Sequence, residues 1–195
     1  MTQPIPLLCG SHRSTGNTKG VAEWVSSRFR SMSNPPLDLV FAEKLSPVPT
    51  HTVEDMAAAI TDPSDYNDMD VRRFSHMISS SPAIVIATPQ YNWGYPGPLK
   101  NTLDHLYHEW KGKPVLLVTL GGHGGGRCAE QLSLVLEGGL KMKVVDTVCI
   151  TLPSDFIRKS DRVEENDGQW PNFLKEYEEP MEKAFMKLLE AIKGV

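Results

Sequence analysis

Five short apolar runs punctuate this chain, and the stretches between them carry apolar residues at helical spacing. The runs are Ile5 to Cys9, Leu37 to Phe41, Ala83 to Thr88, Pro114 to Leu120 and Lys143 to Thr151. Each has the length of a strand. The unbroken character of Ala83-Ile84-Val85-Ile86-Ala87 and of Pro114-Val115-Leu116-Leu117-Val118-Thr119-Leu120 marks strands covered on both faces. After the first run, Val21, Val25, Phe29 and Met32 form one helical stripe, which Asn34-Pro35-Pro36 stops. A helix from roughly Asp68 to Ser79 precedes the third run. Leu99, Leu103, Leu106 and Trp110 make a stripe after it, and Leu132, Val135, Leu136 and Leu140 make another after the fourth. Met181, Phe185, Leu188, Leu189 and Ile192 close the chain as a helix, with Pro180 in its first turn.

Alternating strands and helices predict a parallel sheet covered on both faces. Five strands with five helices fit an α/β, flavodoxin-like three-layer sandwich with sheet order 2-1-3-4-5; another doubly wound order is the alternative. Residues 42–66 are the least regular part, with Pro47, Pro49 and Pro63 around a small apolar patch at Met56 to Ile60. At 195 residues the expectation is one domain over 1–195. A net charge of −4 gives no electrostatic case for nucleic acid or an anionic membrane. No apolar run approaches the ~20 residues of a membrane span. The N-terminus lacks the basic segment of a signal peptide. Cys9, Cys128 and Cys149 show no paired metal spacing, so the expectation is a reducing, cytoplasmic setting.

In open parallel sheets, ligands sit beside the loops at the carboxyl ends of the strands. Three such loops carry chemistry here. The first, Gly10 to Thr18 (GSHRSTGNT), brings hydroxyls, Arg13 and a helix start, a combination suited to phosphate. The plainer reading is a capping loop with Asn17 or Thr18 as N-cap. It lacks the lysine of a Walker A loop, the Cys-to-Arg spacing of a thiol phosphatase and the Gly-x-Ser-x-Gly of a nucleophile elbow. The second, Thr88 to Asn101 (TPQYNWGYPGPLKN), is shaped by Pro89, Pro96 and Pro98 with Gly94 and Gly97. Its aromatics Tyr91, Trp93 and Tyr95 and its amides Gln90 and Asn92 suit a flat ring with polar edges. The third, Gly121 to Gly126, holds five glycines around His123, and lets backbone approach a ring closely. Gly124 to Ala129 also matches the permissive Gly-x-Gly-x-x-Ala pattern with Asp146 downstream, a weak dinucleotide fingerprint. His105, His108 and Glu109 do not follow the order of a zinc protease, and no metal site is expected.

With these loops in view, the chain resembles the NADPH-dependent FMN reductase family, and within it the fungal NAD(P)H-dependent quinone reductases. Gly10-Ser11-His12-Arg13 is similar to that family's phosphate loop. Thr88 to Pro114 and Gly121 to Gly125 are similar to its flavin loops, and the match is poor across Ala42 to Ser80 and the tail. The resemblance implies that Ser11, Arg13, Asn17 and Thr18 hold an FMN phosphate. It implies that Pro89, Gln90, Tyr91, Asn92 and Trp93 line the isoalloxazine, with Leu120, Gly121 and Gly122 near its pyrimidine edge. Ser14 to Thr18 also resembles the phosphate loop of flavodoxins, where a hydroxyl residue usually stands in place of Arg13.

What the resemblance implies for function is a hydride relay from NAD(P)H, the co-substrate, through bound FMN to a quinone or similar acceptor. The flavin carries the chemistry, so no catalytic side chain and no metal is expected. A flavodoxin-like electron carrier or redox-sensing flavoprotein is the alternative. The resemblance further implies a homodimer, with Tyr95, Tyr107 and Trp110 as candidate contacts.

Overall fold

The computed structural model describes residues 4–13, 15–32, 37–41 and 56–194. The expected helix stop at Asn34-Pro35-Pro36, Pro47 and Pro49, and most of the irregular segment from Ala42 lie outside these residues, as does Ser14. The strands are β1 (Ile5–Cys9), β2 (Leu37–Phe41), β3 (Ile84–Pro89), β4 (Pro114–Gly121) and β5 (Lys143–Thr151). All pairings are parallel, and β2 lies beside β1 at one edge, giving the order β2-β1-β3-β4-β5.

The helices are α1 (Asn17–Met32), α2 (Met69–Ser80), α3 (Gly97–Asp104), α4 (Gly126–Ser133), α5 (Ser154–Arg158) and α6 (Glu178–Lys193). Strand periodicity sorts the core into two layers. Val85 and Ala87 of β3 join Val21, Val25 and Phe29 of α1 and Phe185 and Leu188 of α6 on one face. Ile84 and Ile86 join Phe74 and Ile78 of α2, Leu99 and Leu103 of α3, and Leu132 of α4 on the other. Asp68 caps α2 by accepting the N–H groups of Asp70 and Val71. Pro98 sits in the first turn of α3, where its missing N–H is no loss. Among the described residues no helix is long and apolar enough to cross a membrane.

The stripe expected to run from Leu99 to Trp110 on one helix does not. α3 ends at Asp104, and His108–Trp110 form a separate 3₁₀ turn. The Trp110 indole N–H donates to the Leu103 carbonyl at 3.0 Å, satisfying a helix-end acceptor, and the ring packs edge-on to Phe74. Trp110 is fully buried, so it is a core residue and not a surface for a second subunit. His105, His108 and Glu109 therefore share no helix either. The Glu109 carboxylate accepts from the Ser75 hydroxyl and the Tyr107 amide. Among the described residues no group of three His, Cys, Asp or Glu is placed to hold a metal ion.

Candidate functional site

The parallel strands end on one side, and their loops meet there. Loop one leaves β1 at Gly10, whose N–H still pairs with Ala87. Ser11 is buried; its hydroxyl accepts the Arg13 N–H at 3.1 Å and lies 3.2 Å from the Tyr91 hydroxyl. The Gly16 N–H closes on the Arg13 carbonyl, turning the chain into α1. The first turn of α1, with Thr18 buried in it, presents N–H groups that the helix cannot satisfy and a partial positive charge of about +0.5. Arg13 is exposed, with its guanidinium 4.6 Å from the Tyr91 ring centre, and His12 meets that ring edge-on.

The loop after β3 is locked at both ends. The Gln90 N–H donates to Leu120, and its side-chain carbonyl accepts the Cys128 N–H at 3.1 Å, capping the start of α4. Tyr91 and Gly94 exchange both backbone hydrogen bonds across a two-residue turn. Asn92 and Trp93 in that turn have φ of 47° and 70°, a conformation costly for a tryptophan. Trp93 is 60% exposed, and the Arg127 guanidinium sits 5.7 Å from its ring.

The glycine loop after β4 is fastened to the sheet. The Gly121 carbonyl accepts from both Gly124 and Leu152. Gly125 has φ of 75°, and a Cβ there would stand 2.8 Å from the Thr119 side chain and 2.9 Å from the Leu120 nitrogen, so only glycine fits. His123 is exposed. Burial pushes the Cys128 thiol up to about 12, with Cys149 adding to the shift, so it stays protonated and unreactive at neutral pH. Asp146 pairs with Lys187 and accepts the Thr147 N–H, so the acid of the weak dinucleotide fingerprint is already committed.

A fourth loop, after β5, was not foreseen. Residues 152–163 form a strap across the start of α1. The Asn17 carboxamide donates to the Phe156 carbonyl at 2.6 Å and accepts the Val163 N–H at 2.9 Å. Gly20 makes room for it: a Cβ there would fall 1.6 Å from the Val163 carbonyl oxygen. The carboxamide of Asn17 is thus spent on the strap, and its backbone N–H at the start of α1 is what remains for an anion.

These loops enclose a cavity of about 410 Å³. Its lining combines Arg13, Gly16, Asn17, Thr18 and Arg162 with the apolar and aromatic Pro89, Tyr91, Leu120, Leu152, Phe156 and Ile157. Of the residues expected from sequence, Arg13, Asn17, Thr18, Pro89, Tyr91 and Leu120 line it, and Ser11 joins through Tyr91. Gln90 instead faces α4, Asn92 and Trp93 form the turn beyond the wall, and Gly121 and Gly122 follow Leu120 without lining the cavity. Leu152, Phe156, Ile157 and Arg162 were missed. The signal for them was available: the rule that ligands sit at strand carboxyl ends applies to β5 as it does to β1, β3 and β4. A site that combines cations, helix-start N–H groups and apolar walls fits a phosphorylated ring system.

Comparison with known proteins places the chain in a family. A family model described as NADPH-dependent FMN reductase matches residues 4–156. An NAD(P)H-dependent FMN reductase of Saccharomyces cerevisiae is 50% identical over 96 residues, about half of each chain (49% of this one and 50% of that one). One of Schizosaccharomyces pombe is 40% identical over 158 residues, 80% of this chain and 77% of its own. Among solved structures, the flavoenzyme NAD(P)H:(acceptor) oxidoreductase of Paracoccus denitrificans superposes with a TM-score of 0.65 at 20% identity, covering 99% of this chain and 98% of that one, which establishes the flavodoxin-like α/β fold.

Proposed function

The chain belongs to the NADPH-dependent FMN reductase family, and from that premise we propose that it is an FMN-dependent NAD(P)H oxidoreductase. It passes hydride from NAD(P)H through bound FMN to a quinone or similar small acceptor. The observation that carries the reading is the single cavity in which a helix start and two arginines face an apolar, aromatic wall. The reading takes the chain as one FMN-binding domain over 1–195 with the sheet in the order 2-1-3-4-5, so that the loops after β1, β3, β4 and β5 all border the site.

Bound FMN would accept hydride from NAD(P)H and deliver it to the acceptor. The protein's part is to hold, orient and exclude water. Arg13, Thr18 and the first-turn N–H groups of α1 receive the phosphate, with the buried Ser11 hydroxyl holding Arg13's backbone in place. Leu120, Leu152, Phe156 and Ile157 would supply apolar walls for the ring. The hydrogen bonds that lock the loops Gln90–Gly94 and Gly121–Gly125 would keep the lining residues Pro89, Tyr91 and Leu120 in fixed positions beside the ring. The reading requires no side chain as nucleophile, general acid or metal ligand.

A homodimer is part of the proposal, with the half-buried Tyr95 and Tyr107 as contacts, and so is a cytoplasmic location, from the exposed thiol of Cys149. The test is the absorbance spectrum of the purified protein, followed anaerobically as NADPH is added. A flavin spectrum that bleaches and returns on adding a quinone, with ping-pong kinetics, is the expected result. A protein that binds FMN but consumes no NADPH would instead be an electron carrier, and one that takes up no FMN in excess would end the proposal.

A further inference from the structure

Arg162 belongs to a part of the chain beyond the matched family span and to a loop that the sequence did not mark. Arg162 nevertheless lines the cavity, and its guanidinium is held beside Thr15, just ahead of α1. Nε donates to the Thr15 carbonyl at 3.0 Å, and Nη1 to the carbonyls of Asp161 at 2.7 Å and Lys159 at 3.3 Å. All three acceptors are backbone oxygens. They hold the head group in place, and among the described residues Nη2 makes no further bond. The arginine ion pairs among the described residues involve Arg28, Arg73 and Arg127. Arg13 and Arg162 therefore face one cavity with no carboxylate within ion-pair distance among those residues. Two uncompensated guanidiniums beside a helix start form a site for an anion.

Charge arithmetic points the same way. A phosphomonoester carries about −1.5 to −2 at pH 7. The start of α1 offers about +0.5. Arg13 brings this to about +1.5, enough for the lower end of that range but about 0.5 short of the full dianion. With Arg162 the sum is about +2.5, which covers the dianion in full. The strap that carries it is not loose: Asn17 bonds it at both Phe156 and Val163, Val163 is buried in the core, and Gly20 gives it room.

We propose that Arg162, delivered by the strap after β5, is a second phosphate-binding cation of the FMN site, so that the flavin is retained as a resident group between turnovers. This rests on the FMN reading above. The experiment compares FMN with riboflavin, which lacks the phosphate, by fluorescence titration of the flavin-free protein. The proteins are the wild type, Arg162→Ala, Arg162→Lys and, as a surface control outside the cavity wall, Arg158→Ala. Arg162→Ala weakens FMN by about 5- to 10-fold, between the worth of an exposed ion pair and that of a charged hydrogen bond. Riboflavin affinity stays within about 2-fold, Arg162→Lys falls between, and Arg158→Ala matches the wild type. Unchanged FMN affinity in Arg162→Ala overturns the assignment. Equal weakening of both flavins also overturns it, since that marks a strap residue with no phosphate contact. A wild type that binds neither flavin removes the FMN reading itself, a result distinct from both.

Discussion

Gly125→Ala is the sharpest probe of how the glycine loop is built. The residue has φ of 75°, and a new Cβ would meet Thr119 Cβ and Oγ1 at 2.8 Å and the Leu120 nitrogen at 2.9 Å. Left-handed backbone costs an alanine roughly 1–2 kcal/mol. The overlap is with the end of β4, in the middle of the sheet, where neither strand nor loop can give without breaking other bonds. Overpacking of that kind adds roughly 1–3 kcal/mol. The sum, about 2–5 kcal/mol, is a large part of the ~5–15 kcal/mol that holds a typical domain folded. For a chain of this size each kcal/mol moves Tm by about 2–4 °C, so a fall of roughly 4–20 °C is expected by calorimetry or circular dichroism. Gly126→Ala is the control. It is the first residue of α4, and an added Cβ meets nothing within 4 Å, so its Tm stays level or rises slightly. If Gly125→Ala melts with the wild type, or both variants fall equally, the tight seating of this loop on β4 is refuted.

Asn17→Ala removes both bonds between α1 and the strap and costs about 1–3 kcal/mol. Trypsin should then cut faster at Arg158, Lys159 and Arg162 while the rest of the chain holds; an unchanged cutting rate would show that the strap needs no amide clip. The Cys128 thiol is held protonated by the fold, its pKa raised from 9.0 to about 12. The unfolded chain releases that proton first, so the contribution to stability is intact below pH 9.0 and is lost as pH rises toward about 12. Urea midpoints should fall over that window more steeply in the wild type than in Cys128→Ala, and equal slopes would reject the buried-thiol account. In the folded protein at pH 8, a thiol reagent should label the exposed Cys149 and spare Cys128.

Periodicity and composition by themselves determined the alternating α/β architecture, the strands and the loops that follow them, because those signals are local: a covered strand must be apolar throughout, and a helix must bury one stripe. The Pro- and Gly-shaped loop and the Gly10–Thr18 segment could be read for the same reason, since their backbones demand particular residues. What each polar side chain does with its bonds was decided in three dimensions. Asn17 serves the strap, Gln90 caps α4, and Trp110 turns back to donate to Leu103, each bonding a backbone group brought close by the fold. Arg162 stands 147 residues from the carbonyl it holds at Thr15. No window of sequence contains both, and only the parallel sheet, by ending β1 and β5 on one side, brings them to the same cavity.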